Sequence, residues 1–393
     1  MALRFGTCEI DTDAHEFRCD GSVIALEPQV FDLLVLFASN PGLLIGRDRI
    51  IDEIWNGRIV SDAAISSRIN AVRRAVGDDG ARQMVLQTVP RRGFRFVAQV
   101  ENAQLKARDT KPGERQAIRI ATSQDGTRIA FATSGAGPVL LRAGHFLTHL
   151  ERDWSSPVWR PMLDRLATGR RLVRYDQRGT GLSDPHPPSL TLDAMVADLT
   201  AVADAAGADC APIFAASQGV PVAIAFAAAC PDRVSRLVLY GGFCTGRRVG
   251  ATEAERARAD AVLTLLREGW GQHGSAFATA FATLYMPDAD QEKIASMTEM
   301  QLASANPDMA AALRMAIDGF DVRELLSQVQ APTLVLHMQD DAVQPCEQAR
   351  QIASGISGAE LRIFEGRNHV PLPGRPEWDA IMDATDEFLD RTL

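Results

Sequence analysis

The stretch IFAASQGVPVAIAFAAA, residues 213–229, decides the fold of the larger part of this chain. A short apolar run meets a serine set among small residues and continues as an apolar, alanine-rich segment. That pattern reads as strand, tight turn and helix. The strained turn exposes the Ser217 hydroxyl, and only small residues fit two positions to either side; Ala215 and Gly219 meet that demand. Residues 212–230 are also the best candidate for a membrane span. Ser217, Gln218, Gly219 and Pro221 interrupt it, however, and a buried strand–turn–helix accounts for it better. On either side, strand-like segments at Val139–Arg142, Leu172–Tyr175 and Leu237–Leu239 alternate with helical stretches, the signature of an α/β sheet.

Further along, the strand Pro332–His337 leads into Asp340-Asp341-Ala342-Val343-Gln344-Pro345, and the strand Leu361–Phe364 leads into Arg367-Asn368-His369. Three groups of nucleophilic chemistry therefore follow three strands in the order Ser217, acid, His369. With YDQRGTGLSD (175–184) and AASQGVPVAIAFAAACPDRVSRLVLYGG (215–242), this part of the chain is similar to the α/β-hydrolase superfamily over residues 118–393. The resemblance implies Ser217 as nucleophile, His369 as base and Asp341 as the carboxylate that orients the imidazole. Asp340 competes for the last role; Asp341 is preferred because it lies four residues before Pro345, as in the family's acid loop. The oxyanion donors implied are the backbone N–H of Gln218 and one from the turn Gly144-His145-Phe146. Many members carry His-Gly where this chain has Ala143-Gly144.

Between the strands ending at Leu239 and beginning at Pro332, residues 246–320 stand where this fold carries a helical cap. They hold Trp270, Phe277, Phe281, Tyr285 and five of the chain's eleven methionines. Most should form the cap's own core, and a subset should line an apolar pocket above Ser217.

The first hundred residues read differently. PQVFDLLVLFASN (28–40) has apolar residues at helical spacing, Arg47–Trp55 is a second amphipathic helix, and SDAAISSRINAVRRAV (61–76) a third. In the third, Ile65, Ile69, Val72 and Val76 form the buried stripe, with Ser61 or Asp62 as the cap. Met84–Val89 and Phe94–Ala98 then form a hairpin around Pro90-Arg91-Arg92-Gly93. Residues 61–100 hold seven Arg against three acids, a local balance of +4. A basic helix followed by a basic hairpin suits a major groove and its flanking backbone. LEPQVFDLLVLFASNPG, IIDEIW, VSDAAISSRINAVRRAVGDD and TVPRRGFRF together resemble the OmpR/PhoB-type winged-helix DNA-binding domain over residues 3–100. The resemblance implies Ser67, Arg68, Asn70 and Arg74 near DNA, with Arg73 as an alternative, and Arg91 and Arg92 on the wing. A receiver domain usually precedes this module; here the regulatory input is expected from residues 117–393.

These readings give two domains, 1–100 and 117–393, joined by the polar, Pro-Gly-containing stretch 101–116. The chain has 393 residues, 46% of them hydrophobic, and a formal charge of −9. That composition excludes a disordered or fibrous chain, and the negative field confines any nucleic-acid contact to a local basic face. Six scattered cysteines without metal-ligand spacing read as buried thiols of a reducing compartment. Neither a phosphate loop nor a dinucleotide fingerprint is evident, so no cofactor or metal is expected. With no signal peptide in MALRFGTCEID, the chain is read as cytoplasmic. The function expected is a homodimeric transcriptional regulator that binds a double-stranded operator. Its hydrolase-fold domain would bind, or bind and cleave, a small apolar ester, lactone or amide-like effector. The alternative is a serine hydrolase with an accessory DNA-binding domain.

Overall fold

The computed structural model describes residues 2–12, 14–40, 42, 44–55, 60–80, 82–89, 92–98, 101–102, 116–270 and 275–391. The chain separates into two compact units, Met1–Thr110 and Lys111–Leu393.

The first unit opens with strands β1 (Ala2–Phe5), β2 (Cys8–Asp11), β3 (Glu16–Cys19) and β4 (Ser22–Val23). It continues through α1 (Pro28–Ala38), β5 (Leu44–Ile45), α2 (Arg47–Trp55), α3 (Asp62–Ala75), β6 (Leu86–Val89), β7 (Gly93–Phe96) and β8 (Glu101–Asn102). Pro28 starts α1 at a position that needs no amide proton, and the Asn40 amide donates to Leu36 O at 2.8 Å as the helix ends. The stripe Ile65, Ile69, Val72 and Val76 of α3 is buried against Phe31, Leu34 and Phe37 of α1 and the wing's Phe96. Strand β5 adds to the hairpin in the order β5-β7-β6. At Gly93, φ is +138° and a Cβ would meet Ile45 O at 2.1 Å, so no larger residue allows this approach.

Two expectations change here. Glu101 and Asn102, assigned to the linker, pair with Arg4 and Leu3 of β1 and complete the sheet β4-β3-β2-β1-β8. Residues 103–115 of that stretch lie outside the described residues, and Gln116 precedes β9. Second, Cys8 and Cys19 stand opposite each other on β2 and β3 and are joined by a disulfide, while Cys210 is exposed. Strand register brings those two sulfurs together, and register cannot be read from cysteine spacing.

The second unit has strands β9 (Ala117–Thr122), β10 (Arg128–Gly135) and β11 (Val139–Ala143), then α4 (Leu150–Ser155) and α5 (Trp159–Leu166). Next come β12 (Arg171–Tyr175), α6 (Leu192–Ala205), β13 (Ala211–Ala216), α7 (Gly219–Ala229) and β14 (Val234–Tyr240). Helices α8 (Glu253–Gly269), α9 (Ala276–Tyr285), α10 (Gln291–Ser304) and α11 (Pro307–Ile317) form the cap. The chain closes with β15 (Thr333–Met338), α12 (Cys346–Gly355), β16 (Glu360–Phe364) and α13 (Pro376–Asp390). The sheet order is β16-β15-β14-β13-β11-β12-β10-β9. Strand β10 runs antiparallel to both its neighbours, β9 and β12; β11 to β16 are parallel, so their C-terminal ends share one edge. This is an α/β-hydrolase fold with a helical cap.

Buried apolar residues fill both faces of this sheet, as parallel sheets require. Helix α7 is buried along nearly its whole length. Among the described residues no helix is long and apolar enough to cross a membrane.

Candidate active site and nucleic-acid interface

Strand β13 delivers Ser217 to the shared edge. Its φ is +53°, a left-handed conformation uncommon for a residue with a side chain. The turn is held by the Ser217 amide donating to Tyr240 O at 2.9 Å. Helix α7 starts two residues later because Gly219 passes close to Ala143 and Gly144; a Cβ there would lie 2.9 Å from Gly144 O. Ala215 is fully buried in β13, so the strand accepts alanine where the family commonly has glycine.

The structure brings Ser217, His369 and Asp341 into one hydrogen-bonded line. Ser217 Oγ is 2.9 Å from His369 Nε2, and His369 Nδ1 is 2.8 Å from Asp341 Oδ2. Asp341 Oδ1 accepts the amides of Val343 at 2.7 Å and Gln344 at 2.9 Å. Burial opposes ionisation of Asp341, yet His369 and these amides hold its carboxyl below the usual range. Of the two adjacent acids, Asp341 meets the imidazole and Asp340 is exposed. The cap reaches the same imidazole: the Tyr285 ring stands edge-on to His369 at 5.4 Å, and Val370 N donates to Tyr285 O.

Gln218 is the N-cap of α7, so its amide lies at the positive end of the helix dipole. Gly144, His145 and Phe146 follow the end of β11, the neighbour of β13. His145 and Phe146 line a cavity with Ser217, His369 and, from the cap, Tyr285, Met297, Met300 and Gln301. The cavity is narrow, with about 20 Å³ open to the centre of a water molecule. Thus Tyr285, Met297 and Met300 are the subset of cap residues that face the serine. Trp159, Met162 and Gln301 also line it, and no periodicity in the sequence marked them.

On the first unit, Ser61 caps α3 by accepting from Ala64 N at 3.3 Å. Ser67, Asn70 and Arg74 are exposed along that helix, and Arg92 is exposed on the wing. Arg91 lies outside the described residues. Arg68 is partly engaged: it pairs with Glu27 at 3.1 Å and donates to Gln29 at 3.3 Å. Arg73 is a correction. It is buried and donates to Leu86 O at 2.8 Å and Thr88 Oγ1 at 2.8 Å, so it ties α3 to the wing instead of facing outward. Asp78 reinforces the same junction by accepting four backbone amides, those of Asp79, Met84, Val85 and Leu86.

Comparison with known proteins agrees with both geometries. Residues 161–373, more than half of the chain, match the family model described as serine aminopeptidase, S33. The chain belongs to the S33 family. Outside the S33 match, residues 21–96 match the C-terminal domain of transcriptional regulatory proteins. RutD of Azorhizobium caulinodans, named as a carbamate hydrolase, is 31% identical over 253 residues, covering 60% of this chain and 86% of that protein. The transcriptional activator CadC of Escherichia coli is 30% identical over 99 residues, 25% of this chain but only 19% of CadC. Among solved structures, the esterase RhEst1 from Rhodococcus sp. ECU1013 superposes with a TM-score of 0.58 at 26% identity, covering 69% of this chain and 98% of the esterase. An OmpR/PhoB-type DNA-binding unit is therefore fused to an S33 α/β-hydrolase unit.

Proposed function

We propose that this chain is a one-component transcriptional regulator. Its hydrolase unit binds and hydrolyses a small neutral acyl ester, lactone or amide, and that ligand alters operator binding by the winged helix. The observation that carries the reading is the line Ser217–His369–Asp341 at a left-handed turn. A pure ligand sensor has no evident need for a nucleophile, base and orienting acid in hydrogen-bonding order.

In the reaction, His369 Nε2 takes the proton as Ser217 Oγ attacks the carbonyl carbon. The tetrahedral oxyanion is met by the Gln218 amide and an amide of the 144–146 turn. His369 then gives its proton to the leaving oxygen or nitrogen. Water activated by the same imidazole cleaves the acyl-enzyme and regenerates Ser217. Asp341 keeps the imidazole in the tautomer this cycle needs. The cavity favours neutral substrates over peptide amino termini, because no carboxylate lines it among the described residues to meet an ammonium group.

DNA is contacted through the exposed face of α3, with Ser67, Asn70 and Arg74, and through the wing at Arg92; a homodimer on paired half-sites supplies the affinity one module lacks. Turnover of p-nitrophenyl esters of graded chain length tests the chemistry, and gel-shift titration with and without ester tests the coupling. Ser217→Ala should lower turnover by about 10⁴-fold or more. Undiminished hydrolysis in that variant refutes the assignment of the nucleophile. An operator affinity indifferent to the ester leaves a hydrolase with an accessory DNA-binding unit.

A further inference from the structure

The cavity over Ser217 is not uniformly apolar. His145, Trp159 and Gln301 line it, each at least nine-tenths buried. Each keeps one buried polar atom without a hydrogen-bond partner among the described residues: His145 Nε2, Trp159 Nε1 and Gln301 Oε1. Buried polar atoms are ordinarily satisfied, and with the Tyr240 hydroxyl, likewise without a partner among the described residues, four such atoms belong to residues lining one cavity and call for an explanation.

The protonation of two of them follows from chemistry. Arg142 Nη2 lies 3.1 Å from His145 Nδ1, and a guanidinium can only donate. Nδ1 therefore accepts, and Nε2 carries the imidazole proton. Burial and the neighbouring Arg142 and Arg174 cations hold the His145 pKa well below its ordinary value, so the ring stays neutral. The indole Nε1 of Trp159 can only donate, and the two rings lie together with centroids 4.2 Å apart. Helix α10 supplies the complementary acceptor in the Gln301 carbonyl. Two N–H donors and one carbonyl acceptor match a hydroxyl group, whose oxygen has two lone pairs and one proton.

We infer that His145, Trp159 and Gln301 form a polar subsite for a hydroxyl group carried by the acyl substrate, making hydroxyacyl esters the preferred class. This rests on the reading of the cavity as the substrate site of Ser217. The rest of the lining, Met162, Met297 and Met300 among it, takes the hydrocarbon part of the same acyl chain.

The test compares ethyl 2-hydroxybutanoate, 3-hydroxybutanoate and 6-hydroxyhexanoate, each with the ester in which a methyl replaces the hydroxyl: 2-methylbutanoate, 3-methylbutanoate and heptanoate. For at least one pair, kcat/KM should favour the hydroxy ester by about ten- to hundredfold, since the methyl leaves buried polar groups unpaired. Gln301→Leu and His145→Phe should each move that ratio toward one. Calorimetric binding of the same pairs to Ser217→Ala separates the subsite from the chemistry. A hydroxy preference in that variant, with no turnover by the unsubstituted protein, upholds the subsite and removes the proposed catalysis. Turnover without preference in any pair overturns the subsite and leaves the catalysis standing. A preference that survives both substitutions, or binding indifferent to the hydroxyl, also overturns it.

Discussion

The two units use arginine in opposite ways. On the first, Arg74 and Arg92 are exposed beside exposed Ser67 and Asn70. In the second, Arg142, Arg174 and Arg178 are almost wholly buried. Arg178 donates to Asp198 at 2.6 and 2.7 Å and to Asp125 at 2.7 Å. Arg174 donates to Leu150 O at 2.7 Å near Asp153, and Arg142 fixes the tautomer of His145. Exposed guanidinium groups remain available to phosphate or base edges, whereas the buried ones turn donors to internal acceptors and serve as struts, although Arg142 Nε has no partner among the described residues. Arg73 shows that the division does not follow the domain boundary: one residue away from Arg74, it behaves like the arginines of the other unit.

Substitutions can break this contrast, and the largest effect is expected at Arg178. Arg178→Leu leaves Asp198 buried without its partner and should cost the hydrolase unit about 3–5 kcal/mol. Calorimetry should show that unit melting earlier while the winged-helix transition stays in place; an unmoved hydrolase transition contradicts the strut role. Arg73→Ala comes next, at about 1–3 kcal/mol of winged-helix stability, because Leu86 O and Thr88 Oγ1 lose their donor. Arg74→Ala should leave that melting transition unchanged. It should weaken operator binding, reducing the slope of log affinity against log salt by about one if the contact is to phosphate. If the Arg73 variant lost only DNA affinity and the Arg74 variant only stability, the two assignments would have to be exchanged.

The smallest effect is one of pH. Burial pushes the carboxyl of Asp153 up to about 6, against the pull of the Arg174 and Arg142 cations. An unfolded aspartate releases its proton near ~3.9, so between these values the folded chain holds the extra proton. The contribution of Asp153 to stability therefore falls as pH rises through that window. The histidines His145 and His337, whose pKa values are lowered, act in the opposite direction. They are common to wild type and Asp153→Asn, whereas Asp176, itself raised to about 6 in part by the Asp153 charge, is not, so the difference between the two reports this pair of carboxyls. The variant should gain stability relative to wild type from pH ~4 to ~6 and hold a constant difference above. A difference flat across that interval contradicts the raised value.

Much of this arrangement was legible in the chain. Ser217, Asp341 and His369 each follow a strand, and parallel strands present their C-terminal ends together, so their order and the resemblance to α/β-hydrolases together implied their meeting. The spacing to Pro345 favoured Asp341 over Asp340, the acid that the structure leaves exposed. The apolar stripe of α3 was equally plain from its period. Arg73 was not, because adjacent helix positions differ by about 100° and its acceptors sit on a hairpin strand thirteen and fifteen residues on. The pairing of Cys8 with Cys19 needed a strand register, and the place of Gln301 needed the orientation of a cap helix. Both are tertiary facts that no local pattern encodes.

The sheet order has a consequence for how the protein comes into being. Ser217 leaves β13, Asp341 leaves β15 and His369 leaves β16, the outermost strand and the last to be synthesised. No nascent or partly zipped chain can align the three groups before that edge has docked. Under the proposed hydrolysis, turnover becomes a completion signal: in a refolding experiment, the first burst of product would date the arrival of the β16 rim.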